Sequence, residues 1–258
     1  MELINSTKLS FLALSLLGFT HLSFAGTMGP VEEPLWNGVY VGLNAGGLWG
    51  ENQFYSNNLG SAYAAGIPLL TDATLKDTGF IGGAQIGWNY QYNSLAFGVE
   101  GDLDYANLNV NRTASSPTAS TLSAIITQHF STDWISTIRG RVGYAANKWW
   151  VYGTGGLALA KMNLNDQVCS GPTALTPGCA SMAQDKVDWG WTAGAGLEWK
   201  FSTNLSAKAE YLYVDLDNSA YTSLFTNTSG VIIPNSNINH NHEFTANIAR
   251  VGINYFFS

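Results

Sequence analysis

The sequence predicts an all-β fold: an eight-stranded antiparallel up-and-down transmembrane β-barrel with four long extracellular loops and short periplasmic turns. Three observations point to it. From Gly38 to Phe257, apolar residues alternate with Gly or charged ones, the period-two signature of strands. The connections between these stretches alternate between long and very short. Aromatic residues collect at both ends of the apolar faces. A sheet with one greasy face and one Gly-rich, charged face lies between two different media.

The strand candidates run near Gly38–Gly50, Thr78–Gln91, Leu95–Leu108, Asp133–Tyr144, Trp149–Met162, Asp188–Phe201, Leu205–Leu216 and Glu243–Phe257. Glu51–Asp77, Asn109–Thr132, Asn163–Val187 and Asp217–His242 read as long polar loops. Tyr92–Ser94, Ala145–Lys148 and Ser202–Asn204 are tight and carry the Asn and Ser of hairpin turns. Long loops on one side and short turns on the other are the habit of barrels that cross an outer membrane.

One parity of each strand forms an apolar set, for example Leu95, Phe97, Val99, Leu103 and Tyr105, or Trp189, Trp191, Ala193, Ala195, Leu197, Trp199 and Phe201. Laid up and down, these sets place Trp49, Phe80, Tyr105, Trp134, Trp189 and Tyr213 at an outer rim. Trp88, Tyr90, Tyr144, Trp149, Trp199, Phe201, Tyr255 and Phe257 fall at an inner one. Two such belts fit lipid headgroups, where an aromatic side chain has one apolar and one wet end. Trp150 breaks the parity and has no account at this stage. A soluble lipocalin-like barrel would turn these aromatics into a narrow core and leave an outer face rich in Gly and nearly free of Lys.

The opposite parity carries Glu100, Asp102 and Asp104, Arg139 and Arg141, Glu198 and Lys200, Lys208 and Glu210, and Arg250. An eight-stranded barrel is just wide enough for side chains to fill. Isolated buried charge is very costly, so these groups are expected to pair across the lumen as an ionic network. Gly87, Gly98, Gly143, Gly156, Gly194, Gly196 and Gly252 are expected to make room for the long charged chains.

Ahead of the barrel, Lys8 precedes an apolar run from Leu9 to Phe19 and a small-x-small site at Ser23-Phe24-Ala25, which reads as a secretory signal peptide. The run is shorter than the ~20 residues of a helical anchor. Residues 1–25 are thus assigned to the signal, 26–37 to a periplasmic leader and 38–257 to the barrel. Charged residues make up 11% of the chain, against about 25% in soluble domains, with 28 Gly and 9 Trp. The net charge of −7 and the lack of a basic patch exclude nucleic acid as a partner. In an oxidising exported compartment Cys169 and Cys179 are expected to form a disulfide that pins one loop; a redox or metal pair would want CxxC spacing and further ligands.

Several segments are familiar together. Trp36–Gly42, Gly98–Asp102, Arg139–Tyr144, Tyr152–Ala158 and Ala209–Asp215 resemble the strand motifs of the small outer-membrane β-barrel family, the OmpA-like membrane domains and porin-like surface antigens of Gram-negative bacteria. The last strand, Arg250–Phe257, resembles the family's C-terminal assembly signal through Gly252, Tyr255 and Phe257, with Ser258 a departure after the final aromatic. The resemblance covers essentially all of the mature chain. It implies insertion into outer-membrane lipid by the insertion machinery, surface exposure and no single shared activity. Because the sequence stops at the barrel, no peptidoglycan-binding domain is expected.

No catalytic residue is expected. His129 stands alone and reads as a rim residue, and His240 and His242 are weak candidates for a transition metal or haem iron, without visible partners. Asn109–Ser131 carries one charge, Arg112, and Asn218–Asn241 carries none, so capture of polyanions is disfavoured. No cofactor is expected. The function expected is therefore a surface protein with an ion-plugged lumen, adhesin- or antigen-like, meeting a host or surface ligand. The alternatives are a narrow porin-like channel and a haem- or metal-binding receptor.

Overall fold

The structure is a computed structural model that describes residues 35–58, 73–115, 124–170, 178–227 and 229–257. The signal sequence and most of the leader lie outside these residues. Eight strands follow one another: β1 (Gly38–Asn58), β2 (Ala73–Tyr92), β3 (Leu95–Ser115), β4 (Ala124–Ala146), β5 (Trp149–Ser170), β6 (Gly178–Lys200), β7 (Leu205–Asn227) and β8 (Ile232–Phe256). Each pairs antiparallel with the next, and β1 closes on β8 from Tyr40↔Phe256 upward, giving a closed barrel in sequence order. At the periplasmic end, Asn93 and Asn147 take positive φ (53° and 48°) in the two-residue turns after Tyr92 and Ala146. Asn tolerates that left-handed geometry, which suits the strand twist.

The side chains sort as lipid demands. Leu43, Ile86, Val99, Ile138, Val151, Leu157 and Val251 point out, all more than half exposed. Trp49, Phe80, Tyr105, Trp189 and Trp191 ring the outer level and Trp88, Tyr144, Trp149, Trp199 and Tyr255 the inner one. From Trp189 to Trp199 the strand rises ~3.3 Å per residue, which at ~40° tilt gives roughly 25 Å, the height of an outer-membrane apolar band.

One expectation is overturned. The described residues of the four segments read as long loops are almost all strand: β2 has 20 residues and β8 has 25, about twice what a bilayer needs. The alternation does not stop above the outer girdle; it inverts. On β3 the outward set changes from Val99, Leu103 and Tyr105 to Asn107, Asn109 and Asn111, while the inward set changes from Glu100, Asp102 and Asp104 to Ala106 and Leu108. On β5, outward Val151 and Leu157 give way to Asn163, Asn165 and Gln167, and inward Met162 and Leu164 are buried. Water replaces lipid outside, so the apolar residues move inside. Register shifts at Tyr105/Leu108, Thr132/Ile135 and Leu216/Ser219 sit at this same level. Such bulges re-aim a strand without ending it.

Candidate functional site: the filled lumen

The interior is layered. At the periplasmic mouth Trp36, Tyr40, Ala96, Ala145, Trp150, Tyr152 and Phe256 form a buried cluster. Trp36 packs on Trp150 (ring centroids 5.6 Å) and Phe256 (6.1 Å). Its backbone N–H donates to Gln91 Oε1 and its indole to the Asn147 carbonyl. Lys200 Nζ donates to the Leu35 carbonyl. Trp150, unexplained by sequence parity, points inward here as part of the plug.

Above it lies the ionic layer, four cations against five carboxylates, all buried. Arg139 reaches Glu100 at 2.5 Å, Asp102 at 2.9 Å and Glu210 at 3.0 Å. Arg141 lies 3.2 Å from Glu100 and 3.3 Å from Glu198. Lys208 donates to both Glu100 oxygens at 2.8 and 2.9 Å. Arg250 binds Asp104 at 2.6 Å, Glu210 at 2.7 Å and Asp102 at 2.8 Å. Neutral groups take the remaining lone pairs: Tyr40 on Glu100, Ser206 and Asn254 on Glu198, Tyr152 on Glu210, and Asn44 on Asp104. A buried ion survives only when so surrounded. The Arg141 guanidinium also lies over the rings of Trp150 (4.6 Å), Tyr40 and Tyr152 (both 5.0 Å), which couples this layer to the plug below.

All nine expected network residues thus come together. Two of the glycines have a different reason from the one expected. Any side chain at Gly87 or Gly196 would overlap the Tyr40 or Tyr152 ring, so they make room for tyrosines rather than for charged chains.

The third layer went unread in the sequence. Leu48, Ile81, Leu108, Phe130, Ile135, Met162, Leu164, Leu212, Leu216, Phe244 and Ile248, among others, form one buried apolar cluster above the ions. Its signal was present in the inward parity of these residues, most of them at the upper ends of the strand candidates, with Phe130 and Leu164 inside segments taken as loops. At its upper end, level with Phe54 and Leu75, buried Asn52, Gln128, Asp166 and His242 are set among the apolar residues. His242 Nε2 lies 3.6 Å from Asp166 Oδ2 and its ring meets Phe54 edge-on at 4.5 Å. Burial pushes the Asp166 carboxyl up to about 7. His240 lies two residues outward on β8, opposite Ser56. His129 faces outward with Nδ1 2.6 Å from Asn111 Oδ1. Among the described residues no group of three His, Cys, Asp or Glu is placed to hold a metal.

Cys169 and Cys179 are joined in a disulfide across β5 and β6. On β8, Tyr255 and Phe257 face outward on the inner girdle, Gly252 faces inward, and Phe256 belongs to the plug.

The model of the outer membrane protein beta-barrel domain family matches residues 11–257. The chain belongs to this family. The 31 kDa outer-membrane immunogenic protein of Brucella melitensis is 32% identical over 90% of this chain and 88% of its own length. The 25 kDa outer-membrane immunogenic protein of Brucella abortus is 28% identical over 83% and 86%. Among solved structures, the outer membrane protease OmpT from Escherichia coli has a TM-score of 0.45 and 9% identity, covering 86% of this chain and 97% of that one. The protein is an outer-membrane β-barrel of a Gram-negative cell.

Proposed function

We propose that this barrel is a sealed, non-catalytic surface protein that supports envelope integrity and meets its surroundings, adhesin- or antigen-like, through its extracellular extension. The observation that supports this reading is the layering of the lumen. An ion crossing it would have to displace the Trp36–Trp150–Phe256 plug, break a buried layer of paired charges and then cross a largely apolar layer, in which Thr132 and Asp188 are the buried polar groups beside Met162 and Ala160. The extension adds a polar outer wall beyond the bilayer, which gives surface partners something to touch. The C-terminal Gly252, Tyr255 and Phe257 fit recognition by the insertion machinery. A narrow channel is the competing reading for the same charges, and a haem or metal receptor through His240 and His242 finds His242 turned inward against Asp166.

Planar-bilayer recording tests the proposal. The wild-type protein is expected to show no steady conductance. Regular single-channel steps whose size changes in Glu100→Ala or Arg139→Ala would replace the sealed reading with the channel.

A further inference from the structure

Above the outer girdle, water drives apolar side chains into the lumen, but the hairpin joining β7 to β8 breaks that rule. Among the described residues, Val231 (60% exposed) and Ile232 (55%) are the most exposed aliphatic side chains above the girdle. Leu224 (42%) stands two residues before Thr226, the ladder partner of Ile232. The whole stretch Asn218–Asn241 holds no Asp, Glu, Lys or Arg. From Asn247, level with Trp49, β8 climbs ~3.3 Å per residue at ~40° tilt, which sets Ile232 roughly 35–40 Å above the girdle. These side chains are therefore out of reach of the protein's own bilayer.

The turn that carries them meets its own polar needs. The Ser229 and Val231 N–H groups donate to Asn227 Oδ1 at 3.0 and 2.9 Å. The Gly230 N–H donates to the Asn227 carbonyl, and the Asn227 N–H to the Val231 carbonyl, both at 2.9 Å. Gly230 takes the positive φ of 77° that this closure requires. The base of the hairpin is also held. Thr226 pairs with Cys179 and donates from Oγ1 to its carbonyl at 3.1 Å, and the Cys169–Cys179 disulfide ties that point to β5. The tip is presented on a fixed support.

We propose that this hairpin tip docks into the headgroup–acyl boundary of an apposed, electrically neutral lipid bilayer, with Val231 and Ile232 as the inserting side chains. This rests on the surface-contact reading above and names the partner. Lipid offers no hydrogen bonds, so a backbone entering it must already be satisfied, as the donors of Asn227, Ser229, Gly230 and Val231 are. A partner that adds a strand would instead need donors left free. Charge selects among bilayers. The tip carries no cation to seek anionic headgroups, and the chain's net charge of −7 is repelled by them.

The test uses the full mature protein in lipid nanodiscs, with Ser229→Cys as the one free thiol beside the closed disulfide, labelled with an environment-sensitive fluorophore. Phosphatidylcholine vesicles with nitroxide-bearing acyl chains are expected to quench the label and shift its emission to the blue. Val231→Asn with Ile232→Asn should weaken vesicle association at least about tenfold, since binding follows buried apolar area. Val231→Leu with Ile232→Leu should retain it. Heat-modifiable migration should be unchanged in both, because the two side chains are exposed. Raising salt from about 0.1 to about 0.5 M should leave association with neutral vesicles intact. No quenching, equal association of the Asn variant, or loss in high salt would each overturn the proposal. Association only with vesicles made from whole-cell membranes, and not with pure phosphatidylcholine, would assign the tip to a protein pocket; that sinks the lipid partner and leaves surface contact standing. Channel steps in the planar bilayer would remove the sealed barrel without touching these results.

Discussion

The same eight strands build two regions that are mirror images in polarity. Between the girdles, Leu43, Leu103 and Leu157 face out and Glu100, Arg139 and Arg250 face in. Beyond the outer girdle, Asn109, Asn165 and Gln167 face out and Leu108, Leu164 and Phe244 face in. The difference teaches that the medium outside the wall sets the chemistry inside it. In the upper region water outside drives apolar residues inward, as in any soluble sheet pair. In the lower region lipid is no less apolar than a Leu core, so burial gives little preference for the lumen. What fills it there are paired charges, whose geometry fixes which strand stands opposite which. One region is stabilised by area, the other by directional contacts.

That contrast can be broken at its strongest point first. Arg250→Ala leaves Asp102, Asp104 and Glu210 without their nearest cation in the buried layer. It is expected to cost about 3–5 kcal/mol, read by urea unfolding in detergent micelles. A loss below about 1 kcal/mol would mean that the layer is wet and the charges are solvated. Next comes the outer wall. Ile138→Arg, on the lipid face about midway between Trp134 and Tyr144, is expected to cost about 2–4 kcal/mol and lower the heat-modifiable folded fraction. Asn165→Arg, outward on the extension, should stay within about 0.5 kcal/mol, because its medium is water. Equal effects at the two sites would erase the boundary at the outer girdle.

How much of this was legible in the sequence follows from the same inversion. The strands, the two girdles and the nine charged residues could be read because lipid imposes a strict period of two. The partners within the ionic layer could not, since pairing Lys208 with Glu100, or Arg250 with Asp104, needs the register of strands that are distant in sequence. The upper core was missed for a different reason. A search for a greasy outward face ends where that face turns polar, so Phe130 and Leu164 were counted as loop residues although their spacing is that of a strand, and Leu108 and Phe244, at the ends of strand candidates, were not read as core. Trp150 looked like an error of parity because its partner, Trp36, lies in a segment assigned to the leader.

Smaller effects test the upper region alone. Leu164→Ala opens a void in the apolar layer and is expected to cost about 2–3 kcal/mol. Hydrogen exchange should speed up in residues of β4–β6 above the girdle and stay unchanged in the ionic layer, if the two regions open separately.

The pH response comes last. Asp166 faces His242 from across the lumen, with Gln128 beside it on β4 and Met182 on β6. Burial raises its folded-state value to about 7, above the ordinary 3.8 of the unfolded chain. Between these values the unfolded chain releases a proton that the folded one keeps, so this group lowers stability as pH rises from about 4 to about 7 and adds no further change beyond. The difference in unfolding free energy between wild type and Asp166→Asn should therefore grow in favour of the variant across that window and then level off. Because His242 faces the carboxyl at 3.6 Å, His242→Gln and the double variant Asp166→Asn/His242→Gln complete the cycle and isolate the carboxyl. A flat difference from pH 4 to 8 would place Asp166 in water, and would move the top of the apolar seal below β5 residue Asp166.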